Sequence, residues 1–323
     1  MPLSLTELQA MTDYYIYQKQ PVDIYFKSNA LLWKLLSRGN TYSGGKKIQA
    51  NLEYGKSNTG SYGPQDELPT NKTEILTAAF FEYAAYFSTL TIDMEDDLQN
   101  AGSNEAIVDL VQAKINNAEK SIRDSMGEDI YKSRSTLISN SSQNSPRPFI
   151  GLDDLFNTDP SVPYGEIKED DLSLWAPNVI SSSKTMSFKF MQELRRAAST
   201  DTTREGKPDL YITTELLQDA FERTQQVQVR YSNKDLVDAG FDNVMFKGAA
   251  MVADDNCAAS TIYGLNTKHL DIKTHKKRNF TTPKWQSPIK QPDTATANIR
   301  WAGQMLCTRR DAHVKATDVS EQT

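Results

Sequence analysis

Ile48-Gln49-Ala50-Asn51-Leu52-Glu53-Tyr54 is a run in which apolar and polar residues alternate. A period of two is typical of a β-strand that buries one of its faces. An aromatic and Thr-rich run from Ile75 to Ile92 follows and is the expected antiparallel partner. Residues 55–74, between the two runs, are mostly polar and rich in Gly, Ser and Pro. The pattern predicts a long hairpin with an irregular tip.

This hairpin has too little apolar surface to be stable alone, because an isolated two-stranded ribbon is marginal in water. Two interpretations remain open at this point. Either the hairpin lies on another surface, or its tip is a mobile surface loop, as long stretches without secondary structure often are.

Apolar residues three or four positions apart predict two helices around the hairpin. The first begins at Ser28 or Asn29, carries a Leu stripe and ends at Arg38-Gly39. The second spans residues 103–132 and is capped by Ser103 or Asn104. Its predicted buried stripe consists of Ile107, Leu110, Val111, Ala118, Ile122, Met126 and Ile130. Lys120 and Arg123 lie on its opposite, polar face.

The second half of the chain has a different pattern. Residues 133–184 lose periodicity and are rich in Ser and Pro, which predicts a passage into another domain. A helix over 184–198, a short strand over 209–212 and a helix from Thr213 or Thr214 to Phe221 indicate a compact α/β unit. A strand is expected within 295–315. Residues 1–26 mix Tyr with polar residues and predict an N-terminal arm.

Composition excludes several classes of protein. No apolar run reaches the roughly 20 residues that a membrane span needs, and the N-terminus lacks a secretory pattern. We therefore expect no membrane contact and a cytosol-like location. Cys257 and Cys307 have no metal-binding spacing and are expected to be buried thiols.

Charge is unevenly distributed along the chain. The net charge is -6, yet residues 268–323 hold 11 Lys or Arg against 5 Asp or Glu, and the preceding residues hold 25 against 37. A basic segment of this kind either faces acidic surface, on its own or a neighbouring subunit, or contacts nucleic-acid phosphate.

Motifs for catalysis are missing from the sequence. Gly44-Gly45-Lys46-Lys47 does not match the GxxxxGK[ST] phosphate loop, and the three His residues show no metal-ligand spacing. The acidic runs 93–97 and 169–171 lack a calcium-loop pattern and are interpreted as solvated helix-entry faces. The sequence therefore predicts no enzyme activity, no cofactor and no metal.

Several short motifs occur in a fixed order along nearly the whole chain. They are Asn29-Ala30-Leu31-Leu32, Ser43-Gly44-Gly45-Lys46-Lys47-Ile48, Leu52-Glu53-Tyr54-Gly55, Leu76-Thr77-Ala78-Ala79, Ile107-Val108-Asp109-Leu110 with Lys114-Ile115-Asn116-Asn117-Ala118-Glu119-Lys120, Lys207-Pro208-Asp209-Leu210, Ala239-Gly240-Phe241 with Phe246-Lys247-Gly248, Leu265-Asn266-Thr267-Lys268, His275-Lys276-Lys277-Arg278-Asn279-Phe280, and Ile299-Arg300-Trp301-Ala302-Gly303-Gln304 with Cys307-Thr308-Arg309-Arg310. Together they resemble the Hong Kong 97-like major capsid proteins of tailed phages.

The resemblance implies an α+β fold of the Hong Kong 97-like kind, divided as follows. Residues 1–39 would form the N-terminal arm and a short helix, 40–75 the extended loop (a β-hairpin), 76–135 a peripheral domain with the spine helix 103–132, 136–265 an axial α/β domain, and 266–323 the returning peripheral strands and C-terminus. In this fold the extended loop lies over a neighbouring subunit, which favours the first interpretation of the hairpin.

The implied function is that of a major capsid protein. Copies would self-assemble into hexamers and pentamers of an icosahedral or prolate head that encloses double-stranded DNA, formed in the host bacterial cytoplasm and kept in the virion. The expected partners are other copies, a portal protein, a separate scaffolding protein, a decoration protein in some heads, and the packaged DNA by non-specific proximity.

The candidate inter-subunit contacts come from the hairpin, the long helix and the basic tail. They are Lys46, Lys47, Tyr54, Tyr62, Asp66, Lys120, Arg123, Lys276, Lys277, Arg278, Arg300, Arg309 and Arg310. Subunit cross-linking is not expected, because no motif matches the acceptor and catalytic glutamate of the family prototype. The alternatives are an encapsulin-type compartment shell protein and a two-domain α/β enzyme.

Overall fold

The computed structural model describes residues 29–93, 110–198, 206–224, 243–281, 285–287 and 294–321. The predicted N-terminal arm and the predicted start of the long helix at Ser103 or Asn104 lie outside these ranges. The first helix is present and begins directly after Asn29, as its Leu stripe predicts.

The described residues form helices and strands with the following bounds. The helices are α1 (Ala30–Leu36), α2 (Leu110–Asp129), α3 (Arg134–Asn140), α4 (Leu152–Leu155), α5 (Phe188–Ala197) and α6 (Glu215–Thr224). The strands are β1 (Thr41–Tyr42), β2 (Ile48–Glu53), β3 (Leu76–Phe81), β4 (Ala84–Asp93), β5 (Asn178–Thr185), β6 (Leu210–Thr213), β7 (Asn243–Phe246), β8 (Ala249–Ala253), β9 (Ile262–Leu265), β10 (Leu270–His275), β11 (Thr294–Cys307) and β12 (Val314–Ser320).

Strands β2 and β3 form the predicted hairpin. They pair antiparallel from Ile48 opposite Phe81 to Glu53 opposite Leu76, and every second residue of β2 is buried. The aromatic run 75–92, however, is not one strand. It breaks after Phe81, and its second part, β4, pairs with β11 in a different sheet. One sequence run therefore links the hairpin to the body of the subunit.

The body contains a four-stranded sheet in the order β1-β10-β11-β4, on which α2 packs. The predicted stripe of this helix is confirmed where its side chains are described. Ala118, Ile122, Met126 and Ile130 are all buried in the main core, which also holds Trp301. Burial of these apolar side chains is the main favourable term that holds helix and sheet together.

The second sheet has six strands in the order β5-β12-β9-β6-β8-β7. Successive side chains along a strand of this sheet point into two different cores. In β6, Tyr211 faces the core under α5 and α6, whereas Leu210 and Ile212 face the main core. The predicted helix, strand and helix of this region are present, but residues 184 and 185 end a strand and the first helix begins only at Phe188.

The C-terminal segment divides between the two sheets. The sequence predicts returning strands and the C-terminus over residues 266–323. β10 and β11 lie in the four-stranded sheet, and β12 pairs parallel with β5 and antiparallel with β9 in the six-stranded sheet. The chain changes sheets at the turn Arg310–Ala312, because the apolar residues of β12 fill the core under α5.

Candidate assembly surfaces

The root of the hairpin is fixed to the four-stranded sheet by aromatic contacts. The ring of Tyr42 stacks on Tyr83 at 5.1 Å between centroids and meets His275 edge-on at the same distance. The Tyr83 hydroxyl donates a hydrogen bond of 2.5 Å to the Gly45 carbonyl. Burial, with the nearby Tyr83, raises the pKa of Tyr42 to about 12, so this hydroxyl stays neutral at physiological pH.

The base of the hairpin lies on its own subunit. Phe81 contacts Tyr164 edge-on at 5.4 Å, and the Phe80 amide donates to the Gly165 carbonyl at 2.9 Å. Gly165 has a φ of +62°, and a Cβ there would stand 2.9 Å from the Ala79 Cβ. Glycine is favoured at this position, because a side chain would combine the left-handed backbone with a contact that is too close. Lys47 adds an ion pair to the adjacent Glu166.

The hairpin tip, residues 54–75, differs from the base. Tyr54 continues the pairing, since its amide donates to the Ile75 carbonyl at 3.0 Å. Beyond it the tip is exposed, with Tyr62 71% and Leu68 61% accessible. Its internal bonds are local, such as the 2.6 Å bond from the Gly63 amide to Asp66. The tip therefore presents apolar groups that its own subunit does not cover.

The cations Lys120, Arg123, Lys276, Lys277, Arg278 and Arg300 are all exposed. Those on the connection after β10 and on β11, namely Lys276, Lys277, Arg278 and Arg300, form a basic surface. The Arg123 guanidinium of α2 lies 4.9 Å from the centroid of the Phe280 ring, which follows the 276–278 turn. Thr281 and Arg300 exchange two backbone hydrogen bonds of 3.3 Å, and so join this connection to β11. Ile299 and Trp301, on either side of Arg300, are buried in the core with α2, so the Arg300 side chain lies on the face of the sheet opposite α2 and Arg123.

The turn that carries three of these cations is held by hydrogen bonds. The Lys276 amide donates to the Tyr42 carbonyl at 3.0 Å, and the Lys277 amide donates to Nδ1 of His275 at 3.2 Å. The Arg278 carbonyl accepts from the Ala302 amide at 2.8 Å. The backbone below the cations is therefore fixed before any partner binds.

Arg310 is a correction to the predicted contacts. Its side chain is 2% exposed, and its guanidinium donates to the carbonyls of Leu155, Asn157 and Trp175 at 2.6, 2.8 and 3.0 Å. Burial also lowers its pKa from the ordinary value. An arginine enclosed in this way cannot reach another subunit. Its neighbour Arg309 is half-buried and pairs with Asp311 at 2.9 Å.

An acidic surface consists of Glu169, Asp170 and Asp171, before the short helical turn Ser173–Trp175. Asp170 and Asp171 are exposed, and Leu174 beside them is 63% accessible. The Leu172 amide closes the turn by donating to the Lys168 carbonyl at 3.2 Å. The sequence predicts a solvated helix-entry face here, but it does not show that the neighbouring Leu174 is exposed.

The described residues offer little for catalysis. Cys257 and Cys307 are buried, and burial raises the pKa of both thiols to about 12, which disfavours the reactive thiolate. Within the described ranges, no group of three His, Cys, Asp or Glu side chains could hold a metal ion. No helix in these ranges is long and apolar enough to cross a membrane.

Known proteins match this chain in structure and not in sequence. No protein-family model and no curated protein sequence matches the chain. Solved structures do match. The capsid protein of cyanophage A-1(L) superposes with a TM-score of 0.72 and 15% identity over 94% of this chain and 96% of that one. The chain has the fold of phage capsid proteins.

Two further matches extend the comparison. The capsid of a native GTA particle gives a TM-score of 0.64 at 8% identity, and covers 99% of each chain. The SrpI encapsulin of Synechococcus elongatus PCC 7942 gives 0.60 at 11% identity, again over 99% of each chain. The capsid fold expected from the ordered motifs is confirmed, whereas the fold alone does not separate a phage shell from an encapsulin shell.

Proposed function

We propose that the chain is the major capsid protein of a tailed phage, a shell subunit and not an enzyme. Copies assemble as hexamers and pentamers into an icosahedral or prolate head around double-stranded DNA. The observation that carries this proposal is the hairpin, whose base is fixed to its own subunit while its tip exposes Tyr62 and Leu68. A loop of this length without secondary structure of its own, in an otherwise compact fold, is typical of a functional segment.

In this proposal the hairpin is the extended loop that lies on an adjacent subunit. The four-stranded sheet with α2 corresponds to the peripheral domain, and the six-stranded sheet with α5 and α6 to the axial domain. The candidate contacts other than Arg310 lie on or beside exposed surfaces that adjacent copies would cover. Lys47 and Arg309 already pair within the chain, so their share in such contacts is the smallest.

We further propose where the shell assembles and which other proteins take part. Assembly takes place in the host bacterial cytoplasm, with a portal protein and a separate scaffolding protein, and the product is the virion head, with a decoration protein as an optional addition. The second candidate function is an encapsulin-type compartment, which the match to the SrpI encapsulin favours. Material that copurifies with the particles separates the two, since a phage head holds nucleic acid and a compartment holds protein cargo.

Particle formation by the expressed chain tests the proposal. We expect gel filtration and electron microscopy to show closed shells, and a small oligomer alone would contradict a shell function. Tyr62→Asp should abolish shells and leave the melting temperature of the subunit unchanged, because the Tyr62 side chain is 71% exposed in the described subunit. Tyr62→Phe keeps the ring and is the matched control, which should still assemble.

Hydrogen exchange gives an independent measurement. Amides of residues 55–71 should exchange quickly in the isolated subunit and slowly in the shell, because burial against a neighbour protects them. Equal protection in both states would show that the tip is not covered on assembly.

A further inference from the structure

The basic surface forms no ion pair among the described residues. Within those ranges, Lys276, Lys277, Arg278 and Arg300 pair with no carboxylate. Three of these cations are consecutive in sequence, all four are exposed to water, and neighbouring like charges repel one another. A bound anionic surface would remove the repulsion without any rearrangement of the backbone.

The exposed carboxylates of the acidic surface likewise form no ion pair among the described residues. Many carboxylates of the described chain are already paired, such as Glu166 with Lys47, Glu82 with Arg134 and Asp153 with Lys315. Asp170 and Asp171, by contrast, are exposed and form no ion pair among the described residues. Among the described residues, the chain therefore presents two charged surfaces of opposite sign that form no ion pairs.

Both surfaces combine charge with an exposed apolar side chain. Arg300 lies directly opposite Phe87 on the neighbouring strand, and Phe87 is 57% accessible. Leu174, 63% accessible, follows Asp171 closely in sequence. Protein interfaces bury apolar groups among polar ones, whereas contacts to a nucleic-acid backbone rest on phosphate charge. The combination favours a protein partner over a nucleic acid.

We propose that the basic surface of one copy binds the acidic surface, Glu169, Asp170 and Asp171, of a second copy. The two surfaces differ, so the contact is head-to-tail and repeats from one copy to the next, which closes a ring when the rotation allows it. The inference rests on the proposed shell function and names the surfaces that such a shell would join.

Charge reversal and its rescue test the contact. Arg278→Glu should lower the yield of particles at least about tenfold at fixed protein concentration, because a small loss per contact is repeated at every copy. The combination with Asp170→Arg and Asp171→Arg should restore the yield. Lys189→Glu makes the same charge change on exposed α5, away from both surfaces, and should assemble normally. Thermal melting of each subunit verifies folding.

The outcomes separate the explanations. Normal particles from Arg278→Glu would overturn the contact, and so would a loss that the acidic-surface changes cannot rescue. Normal particles whose salt-sensitive binding of a labelled DNA duplex is lost would assign the basic surface to nucleic acid instead. If the unaltered chain forms no particles, the shell function itself fails and the inference fails with it.

Discussion

The turn 276–278 and the segment 309–313 are both basic, and sequence alone gave them the same role. In the turn, Lys276, Lys277 and Arg278 are exposed above a backbone fixed by hydrogen bonds. In the second segment, Arg310 and His313 are 2% and 0% exposed. The difference places the side chains of Arg310 and His313 inside their own subunit, whereas the cations of the turn remain exposed and could be reached by a partner.

The largest expected effect is the loss of the Arg310 guanidinium. Arg310→Met keeps the apolar stem but leaves the carbonyls of Leu155, Asn157 and Trp175 without their donor. We expect the free energy of unfolding to fall by about 3–5 kcal/mol, because buried acceptors without partners are costly. Chemical denaturation of the subunit measures this. Arg309→Met, one residue earlier, should cost about 1 kcal/mol or less; equal losses would show that burial is not what distinguishes the two.

The contrast also shows where sequence reasoning succeeds. The alternation in Ile48–Glu53 and the stripe through Ile122 and Met126 are local periodic signals, and both elements formed as expected. Arg310 carries no such signal, because its partners lie more than 130 residues away in sequence. The same holds for the break after Phe81 and the change of sheet before β12, which are decided by long-range strand pairing.

The placement of the exposed cations was predictable in part. The charge excess of the tail and the polar face of α2 were visible as separate features. Their meeting around Phe280 was not, since it depends on where the connection after β10 packs against Arg123. Conversely, the acidic run 169–171 was visible, but its exposed apolar neighbour Leu174 required the structure.

We expect an intermediate effect at His313, because burial keeps its side chain uncharged. Burial, with a contribution from His269, lowers its pKa from 6.5 to about 3. Its Nδ1 accepts a 3.1 Å hydrogen bond from the Asn266 amide, which only the neutral ring can do. The unfolded chain takes up a proton near pH 6.5 and the folded chain does not. The stabilisation is therefore complete above pH 6.5 and falls as the pH decreases towards 3.

Between pH 7 and pH 5 this loss should reach about 2 kcal/mol, since each unit of pKa difference corresponds to about 1.4 kcal/mol. Denaturation at the two pH values measures it. His313→Gln cannot take up a proton and should show a smaller difference between them. An unchanged difference would mean that other groups cause the acid sensitivity.

The smallest effect is expected in the exposed turn, and it completes the comparison. Lys277→Glu changes the charge by two units, yet the Lys277 contact that holds the turn is made by its backbone amide to His275. The free energy of unfolding should therefore change by about 0.5 kcal/mol or less. Assembly should nevertheless weaken, and more so at low salt, where screening of exposed charges is least. A subunit destabilised as much as by Arg310→Met would show that the turn supports the fold, and would remove the reason to assign its cations to a partner.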